Sequence, residues 1–289
     1  MRKRTRLAGL SRFTAREVYL SRAPDDSAEQ QRIETSFFAP LKLRNGTFKT
    51  TGERRLDDLN ELVTTLLPRD HPLEILDTAV SSGITTVEWC EHLRKAGVPF
   101  RMSAGDLFSR AELLSWGRHF HVLVDDTGCV LQYETGGLAW RTWTSRGDWL
   151  SLYAAALPVT QLLFRLLKSV KAPARRPLQL FSPRLLATGI ELFEDDIFEM
   201  NEAFAQRFDV IRAVNILNIA YFPRKQLEVA IACLAARLKP DGLLIVNRTD
   251  DSRMNHGSVF RLTTERKFRV EGQIGDGSEI EDVVLAFQP

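Results

Sequence analysis

Apolar residues recur along this chain in two rhythms, and the change from one to the other divides it. Over Arg55–Leu67, Leu56, Leu59, Val63 and Leu66 fall at helical spacing, and Pro68 and Pro72 close the segment. A short unbroken run, Leu73–Asp77, then predicts a buried strand, and a loop of small residues reaches Gly83. A helix is predicted from about Thr85 to Lys95, stopped by Gly97 and Pro99, and Phe100–Asp106 reads as a second strand ending in an acid. This is one βαβ unit. Its first turn is where an open α/β sheet receives nucleotide-like ligands, at the carboxyl end of a strand. Small residues let the backbone come close to a ligand, and the helix that follows offers free N–H groups.

Between Phe108 and about Gly189 the rhythm changes. His121–Tyr133 reads as two extended runs around an Asp-Thr-Gly turn, and Gly136, Gly137 and Leu138–Trp143 extend it toward a meander. Trp149–Val170 starts apolar, is interrupted at Pro158, and continues with Val159, Leu162, Leu163, Leu166 and Val170 on one helical stripe. The α/β pattern returns with strands at Ile190–Phe193 and Phe208–Asn215, a helix at about Lys225–Arg237, and a Leu238–Gly242 turn into the strand Leu243–Val246. Val259–Leu262, Phe268–Val270 and Val283–Phe287 read as strands that close the sheet with an antiparallel edge. The expected fold is α/β: a doubly wound, seven-stranded, mostly parallel sheet over 56–108 and 190–289. An inserted strand-and-helix lid or substrate region takes 109–189, and an N-terminal basic, helical arm takes 1–55.

Composition narrows the partners more than the fold. The chain has 289 residues, 44% hydrophobic and 26% charged, which is ordinary for a globular protein. A formal net charge of +2 argues against a dedicated nucleic-acid binder. Cys90, Cys129 and Cys233 lie far apart without C-x-x-C spacing, which suits a reducing, cytoplasmic setting and gives no zinc or disulfide framework. His119 and His121 share a strand face, but no third ligand accompanies them, so no metal site is expected. Arg2, Lys3, Arg4, Arg6, Arg12, Arg16 and Arg22 make a basic arm that is either a solvated tail or a contact for an anionic membrane surface or acidic partner. No signal-peptide-length apolar run follows it, so secretion is not expected. Pro158, Gln161 and Arg165 argue against a spanning helix at Trp149–Val170. That stretch is either a helical cap over a ligand site or, with Arg165, Lys168, Lys171, Arg175 and Arg176 around it, a surface for lipid or a greasy substrate.

Four features fall in order at sheet spacing: the small-residue loop after Asp77, Asp106 ending the second strand, Asp196 after the third, and Asn215 ending the fourth. Parallel strands would present them at one rim. An acid ending the second strand can accept two ribose hydroxyls, and one after the third can accept an exocyclic adenine amino group. The loop is neither G-x-x-x-x-G-K-[ST] nor G-x-G-x-x-G, so the ligand suggested carries a ribose and an adenine but no pyrophosphate. Asp77, Asp106, Asp196, Asn215 and Asn218 could also serve only as caps and turn residues. Asn247-Arg248-Thr249 and Asn255-His256 after the fifth strand could line an acceptor pocket or form an ordinary polar loop.

This order resembles that of class I S-adenosylmethionine-dependent methyltransferases, a Rossmann-like fold. Where that family has Asp-x-Gly-x-Gly-x-Gly, this chain has Asp77-Thr-Ala79-Val-Ser81-Ser-Gly83, keeping only the last glycine. The wording of the loop, of Phe208–Phe222 and of Leu234–Val246 is most similar to the chemotaxis-receptor methyltransferase branch. The resemblance implies S-adenosyl-L-methionine as cofactor, with Asp77 and the loop Ala79, Ser81 and Gly83 at the methionine moiety. It implies Asp106 and Leu107 at the ribose, Asp196 and Ile197 at the adenine, and Asn215 near the sulfonium. It implies methyl transfer to oxygen or nitrogen of a small-molecule or lipid-like acceptor. The 109–189 insertion does not match the receptor methyltransferases, so their glutamyl substrate is not implied. Asn215, Asn218, Tyr221 and His121 are catalytic candidates, with Asp125 and Tyr153 further bases by location alone. Two rival expectations are a catalytically silent cofactor-binding or scaffold protein and a membrane-peripheral interaction protein.

Overall fold

The structure, a computed structural model, describes residues 10–11, 13–20, 27–49, 52, 54–144 and 152–289. Arg2, Lys3, Arg4, Arg6, Arg12 and Arg22 of the basic arm, Trp149 and the side chain of Tyr153 lie outside what is described. The chain opens with β1 (Leu10–Ser11), α1 (Ala15–Leu20) and α2 (Ser27–Phe38). An α/β stretch follows: α3 (Asp57–Leu66), β2 (Leu73–Thr78), α4 (Ile84–Lys95) and β3 (Phe100–Asp106). Next come β4 (Arg110–Trp116), β5 (Phe120–Asp125), β6 (Val130–Thr135), β7 (Leu138–Arg141), α5 (Leu152–Val170) and β8 (Ala174–Gln179). The remainder is α6 (Pro183–Leu186), β9 (Glu191–Glu194), β10 (Phe208–Val214), α7 (Arg224–Arg237), β11 (Leu238–Thr249), β12 (Asn255–Leu262), β13 (Phe268–Ile274) and α8 (Glu281–Leu285). Two compact units result: residues 52–109 with 184–289, and residues 1–51 with 110–183.

The larger unit is built on a seven-stranded sheet in the order β13-β12-β11-β10-β2-β3-β9. The pairings from β11 to β9 are parallel, and β12 and β13 add an antiparallel edge. Side chains alternate across it as strand geometry requires. Ile75, Val210, Leu243, Ile245 and Val259 bury one face under α3 and α4 through Leu59, Val63, Trp89 and Leu93. Leu76, Ile211, Leu244, Val246 and Phe260 bury the other under α7 and α8 through Leu227, Ile231, Leu234, Val283 and Val284. Helices on both faces make the unit doubly wound. From β2 the chain moves outward to β3 and β9, then returns to β10 on the other side of β2. The strand order therefore reverses between β2 and β10, which is the topological switch point.

Two expectations need correction. Val283–Phe287 is not a strand: it lies across α8, because Ile280, Val283, Val284 and Phe287 repeat at helical spacing and all meet the α7 core. Leu238–Gly242 is not a turn outside the sheet. Phe208 pairs with Leu238 and Val210 with Leu243, so the turn residues form a bulge inside β11, with Asp241 at φ 64°.

The smaller unit is an antiparallel sheet in the order β1-β7-β6-β5-β4-β8. The expected hairpin and meander are β5, β6 and β7, while β4 and β8 extend the sheet beyond that reading. Helix α5 continues through Pro158, and its Leu157, Phe164 and Leu167 pack on Leu114, Trp116, Phe120, Val122 and Tyr133. No helix among the described residues is long and apolar enough to cross a membrane.

Candidate functional site

The loop between β2 and α4 holds three left-handed residues at alternate positions. Ala79, Ser81 and Gly83 hold left-handed conformations, at φ 55°, 59° and 80°. The residues between them are anchors: Val80 and Ser82 are buried, Val80 N–H donates to the Gly105 carbonyl, and Gly83 N–H to the Val80 carbonyl. Left-handed backbone costs a residue with a Cβ about 1–2 kcal/mol. Ala79 and Ser81 both accept that cost.

Asp106, ending β3, closes the loop from the neighbouring strand. Its Oδ2 accepts from Ser81 N–H at 2.7 Å and its Oδ1 from Phe108 N–H at 3.0 Å. Asp106 is buried at the end of its strand, so both of these bonds are made away from bulk water. The next residue, Leu107, is exposed.

Asp77 is committed elsewhere. Register sets it beside Arg212 on β10, and the buried guanidinium donates to both carboxylate oxygens, at 2.9 and 2.5 Å. Thr86 Oγ1 donates to Asp77 Oδ2 at 2.7 Å, and the Arg212 guanidinium lies 4.2 Å from the Trp89 ring centroid. Asp77 therefore supports the rim from below. A second buried pair, Arg237 with Asp195 at 2.7 Å, stands after β9. Asp195 Oδ2 also accepts from Thr78 Oγ1 at 3.3 Å, and a Cβ on Gly105 would fall 2.9 Å from the Asp195 Cβ. Asp196 turns the other way: its Oδ1 accepts from Phe198 N–H, its carbonyl accepts from Arg237, and Ile197 is buried in the α7 core. Of the two adjacent acids, Asp195 reaches the ends of β2 and β3.

Across the switch point, Asn215 stands at φ 60° and ties β10 to β11: its N–H donates to the Asn247 carbonyl and its Oδ1 accepts from Thr249 N–H, both at 2.7 Å. Asn255 extends this network, accepting from Asn247 and Thr249 and donating to Asp58 Oδ1 at 2.6 Å. Asn218 caps a turn by accepting from Ala220 and Tyr221 N–H, and Tyr221 is exposed. His121 belongs to the smaller unit, where it bonds to Arg16 and Ser115 at 2.8 Å each. There Asp125 Oδ1 accepts from Thr127 and Cys129 N–H within its own hairpin turn.

Three residues that sequence reasoning missed matter most: Arg212, Leu185 and Arg55. An arginine inside the apolar run Phe208–Val214 signals a buried counter-charge on the neighbouring strand. Leu185 of α6 is buried against the loop, and a Cβ on Gly83 would fall 2.2 Å from its Cδ2. Arg55 is half-buried, its Nε has no hydrogen-bond partner among the described residues, and it lies in the field of Arg212, Glu88 and Asp77. Burial first, and Arg212 second, lower its pKa. An anion brought beside Arg55 would relieve both.

A cavity of about 740 Å³ lies at the opposite, amino-terminal end of β2, β3 and β9, lined by Glu74, Phe100, Arg101, Glu191, Arg207 and Lys239 among others. Arg101 pairs there with Glu74, Arg207 with Glu191, and Lys239 with Asp209, so its charges are largely satisfied. No group of three or more metal-ligating side chains occurs among the described residues.

No protein-family model matches the chain, and no curated protein matches it. Solved structures to which the chain shows similarity include the CMeT domain of the citrinin polyketide synthase, 18% identical at a TM-score of 0.36, covering 76% of this chain and 39% of that one. An O-methyltransferase family protein from Burkholderia thailandensis is 14% identical at 0.34, covering 69% and 40%. The [4+2]-cyclase SpnF is 13% identical at 0.32, covering 66% and 44%. The chain thus spans less than half the length of each. None of the three is a chemotaxis-receptor methyltransferase, and that finer likeness rests on sequence wording alone. At these values the overlaps add nothing to the topology described above.

Proposed function

We propose that the larger unit binds S-adenosyl-L-methionine at the carboxyl rim of its parallel strands and that the protein transfers a methyl group to oxygen or nitrogen of a small or lipophilic acceptor. The observation that carries this reading is the run of left-handed positions at 79, 81 and 83, kept at two residues that strain it, beside a switch point and a buried acid. Backbone strain that persists where a glycine would remove it points to use of that conformation.

When bound, the cofactor supplies a methyl group on a sulfonium, and the protein supplies orientation and electrostatics. Asp106, at the carboxyl end of β3 and bonded to the loop through Ser81 N–H, would accept the ribose hydroxyls. The half-buried Arg55 guanidinium would take the amino-acid carboxylate, and the loop backbone would face the methionine chain. Asn215, fixed by Thr249 N–H, holds the β10 end in place, while Asn218 and Tyr221 stand on the segment that follows. Methyl transfer is an in-line displacement, so positioning accounts for most of the catalysis. In this reading Asp106 and the loop backbone would hold the cofactor, and Leu185, which lies 2.2 Å from a Cβ built on Gly83, would have to move aside.

Titration calorimetry of S-adenosylmethionine and S-adenosylhomocysteine into the full chain tests the site. Micromolar binding that falls at least about tenfold in Asp106→Asn and in Arg55→Met supports it, a loss of about 1.4 kcal/mol each. Absence of binding to folded wild-type protein overturns it. Leu185 also favours a second reading, a protein that binds the cofactor without turnover, which predicts calorimetric heat but no product with any acceptor.

A further inference from the structure

Helix α5 presents two apolar faces where a globular unit needs one. Leu157, Phe164 and Leu167 face the antiparallel sheet. Val159, Leu162, Leu163, Leu166 and Val170 form a second stripe at i, i+3, i+4, i+7 and i+11, and all five are exposed, Val159 at 66% and Val170 at 84%. A contiguous exposed apolar stripe on a folded surface marks a contact with something apolar.

The charge around the stripe says what kind of contact. The sequence has no Asp or Glu between Asp148 and Glu191, while Arg165, Lys168, Lys171, Arg175, Arg176 and Arg184 fall in that interval. Arg165 and Lys168 are exposed on α5 itself and Lys171 just after it. Of the three, none makes an ion pair among the described residues. The nearest paired cation is Arg175, with Glu112 at 3.1 Å. A nucleic acid would explain the cations but not five exposed aliphatic side chains. A second protein surface would explain the aliphatics but does not require acid-free flanks.

We propose that α5 docks the protein on an anionic bilayer surface, its Val159–Val170 stripe entering the interface and Arg165, Lys168 and Lys171 meeting lipid headgroups. This is the geometry of an interfacial helix: aliphatic side chains enter the headgroup–acyl boundary while neighbouring cations stay at headgroup level. It holds whether or not the larger unit binds S-adenosylmethionine.

The test is flotation of the full chain with vesicles of phosphatidylcholine alone and with about one-third phosphatidylserine, which gives the surface a negative potential. The expected result is binding to the anionic vesicles, weakened about tenfold between 0.05 and 0.5 M salt as screening shortens the range of the charges. Leu162→Ser/Leu166→Ser, at two exposed positions, should lose binding with an unchanged circular dichroism spectrum and Tm. Lys168→Glu/Lys171→Glu should lose the preference for phosphatidylserine. Equal binding to both vesicles, or none, overturns the proposal. So does a wild-type dimer in sedimentation that the Leu162→Ser/Leu166→Ser variant converts to monomer, since the stripe would then be covered by a second copy.

Discussion

Ala79 and Gly83 stand two turns of the same pattern apart, yet substitution at each should move stability in opposite directions. At Ala79, φ 55° is strained for any residue with a Cβ. Ala79→Gly removes that strain and adds unfolded-chain entropy, so the net expected gain is up to about 1 kcal/mol. At Gly83 the reverse change adds a Cβ at φ 80° and drives it into Leu185 Cδ2, 2.2 Å away. Gly83→Ala should therefore cost about 2–4 kcal/mol, the sum of backbone strain and overpacking. Thermal unfolding of the two variants beside wild type measures both, and a destabilised Ala79→Gly would remove the case for stored strain. Leu185 separates stability from binding. Leu185→Ala should lower stability by about 2–5 kcal/mol through the cavity it leaves, while calorimetry should show tighter S-adenosylmethionine binding because the space before Gly83 opens. Weaker binding would mean that Leu185 forms part of the cradle wall.

Between elements, the decisive relation is the register of β2 and β10, which sets Asp77 beside Arg212. Removing only the cation leaves a buried carboxylate, so Arg212→Met should cost about 3–5 kcal/mol, and Asp77→Asn in the same chain should restore much of it. Denaturant unfolding of the single and double variants reads this coupling; additive effects would show that the two side chains stabilise the sheet independently. Register also marks the limit of what the sequence discloses. The β2–α4–β3 unit, β9, β10 and α7 were legible, because apolar runs of strand length alternate with helical spacing. Asp106 was legible as a strand-ending acid. Arg212 and Asp195 were not, since their roles exist only once neighbouring strands are paired. Asp196 is the acid the sequence places after the third strand; its Oδ1 accepts from Phe198 N–H, while the neighbouring Asp195 Oδ2 accepts from Thr78 Oγ1. At the C-terminus, two adjacent valines looked like strand until Ile280 and Phe287 supplied the helical period.

At the scale of the molecule, the division into two units gives each its own core, with a buried thiol in one and a half-buried phenol in the other. In the larger unit the Cys90 thiol is fully buried, and burial raises its pKa from 9.0 to about 12. In the smaller unit burial, with Glu34 adding to it, raises Tyr19 well above 10.0, and its hydroxyl donates to the Phe181 carbonyl at 3.0 Å. Both groups are neutral in the fold and ionise earlier in the unfolded chain. Their stabilisation is therefore full below pH 9 and is lost as pH rises, from about 9 to 12 for Cys90 and from 10 upward for Tyr19. For Cys90 the full window corresponds to about 4 kcal/mol. Because the two groups sit in separate units, alkaline destabilisation should separate by unit as well. Calorimetric scans from pH 8 to 10.5 (roughly spanning the two onsets) should show Cys90→Ala flattening the pH dependence of one transition and Tyr19→Phe that of the other. A single transition whose alkaline slope is unchanged in both variants would show that the units unfold together and that other groups govern the loss.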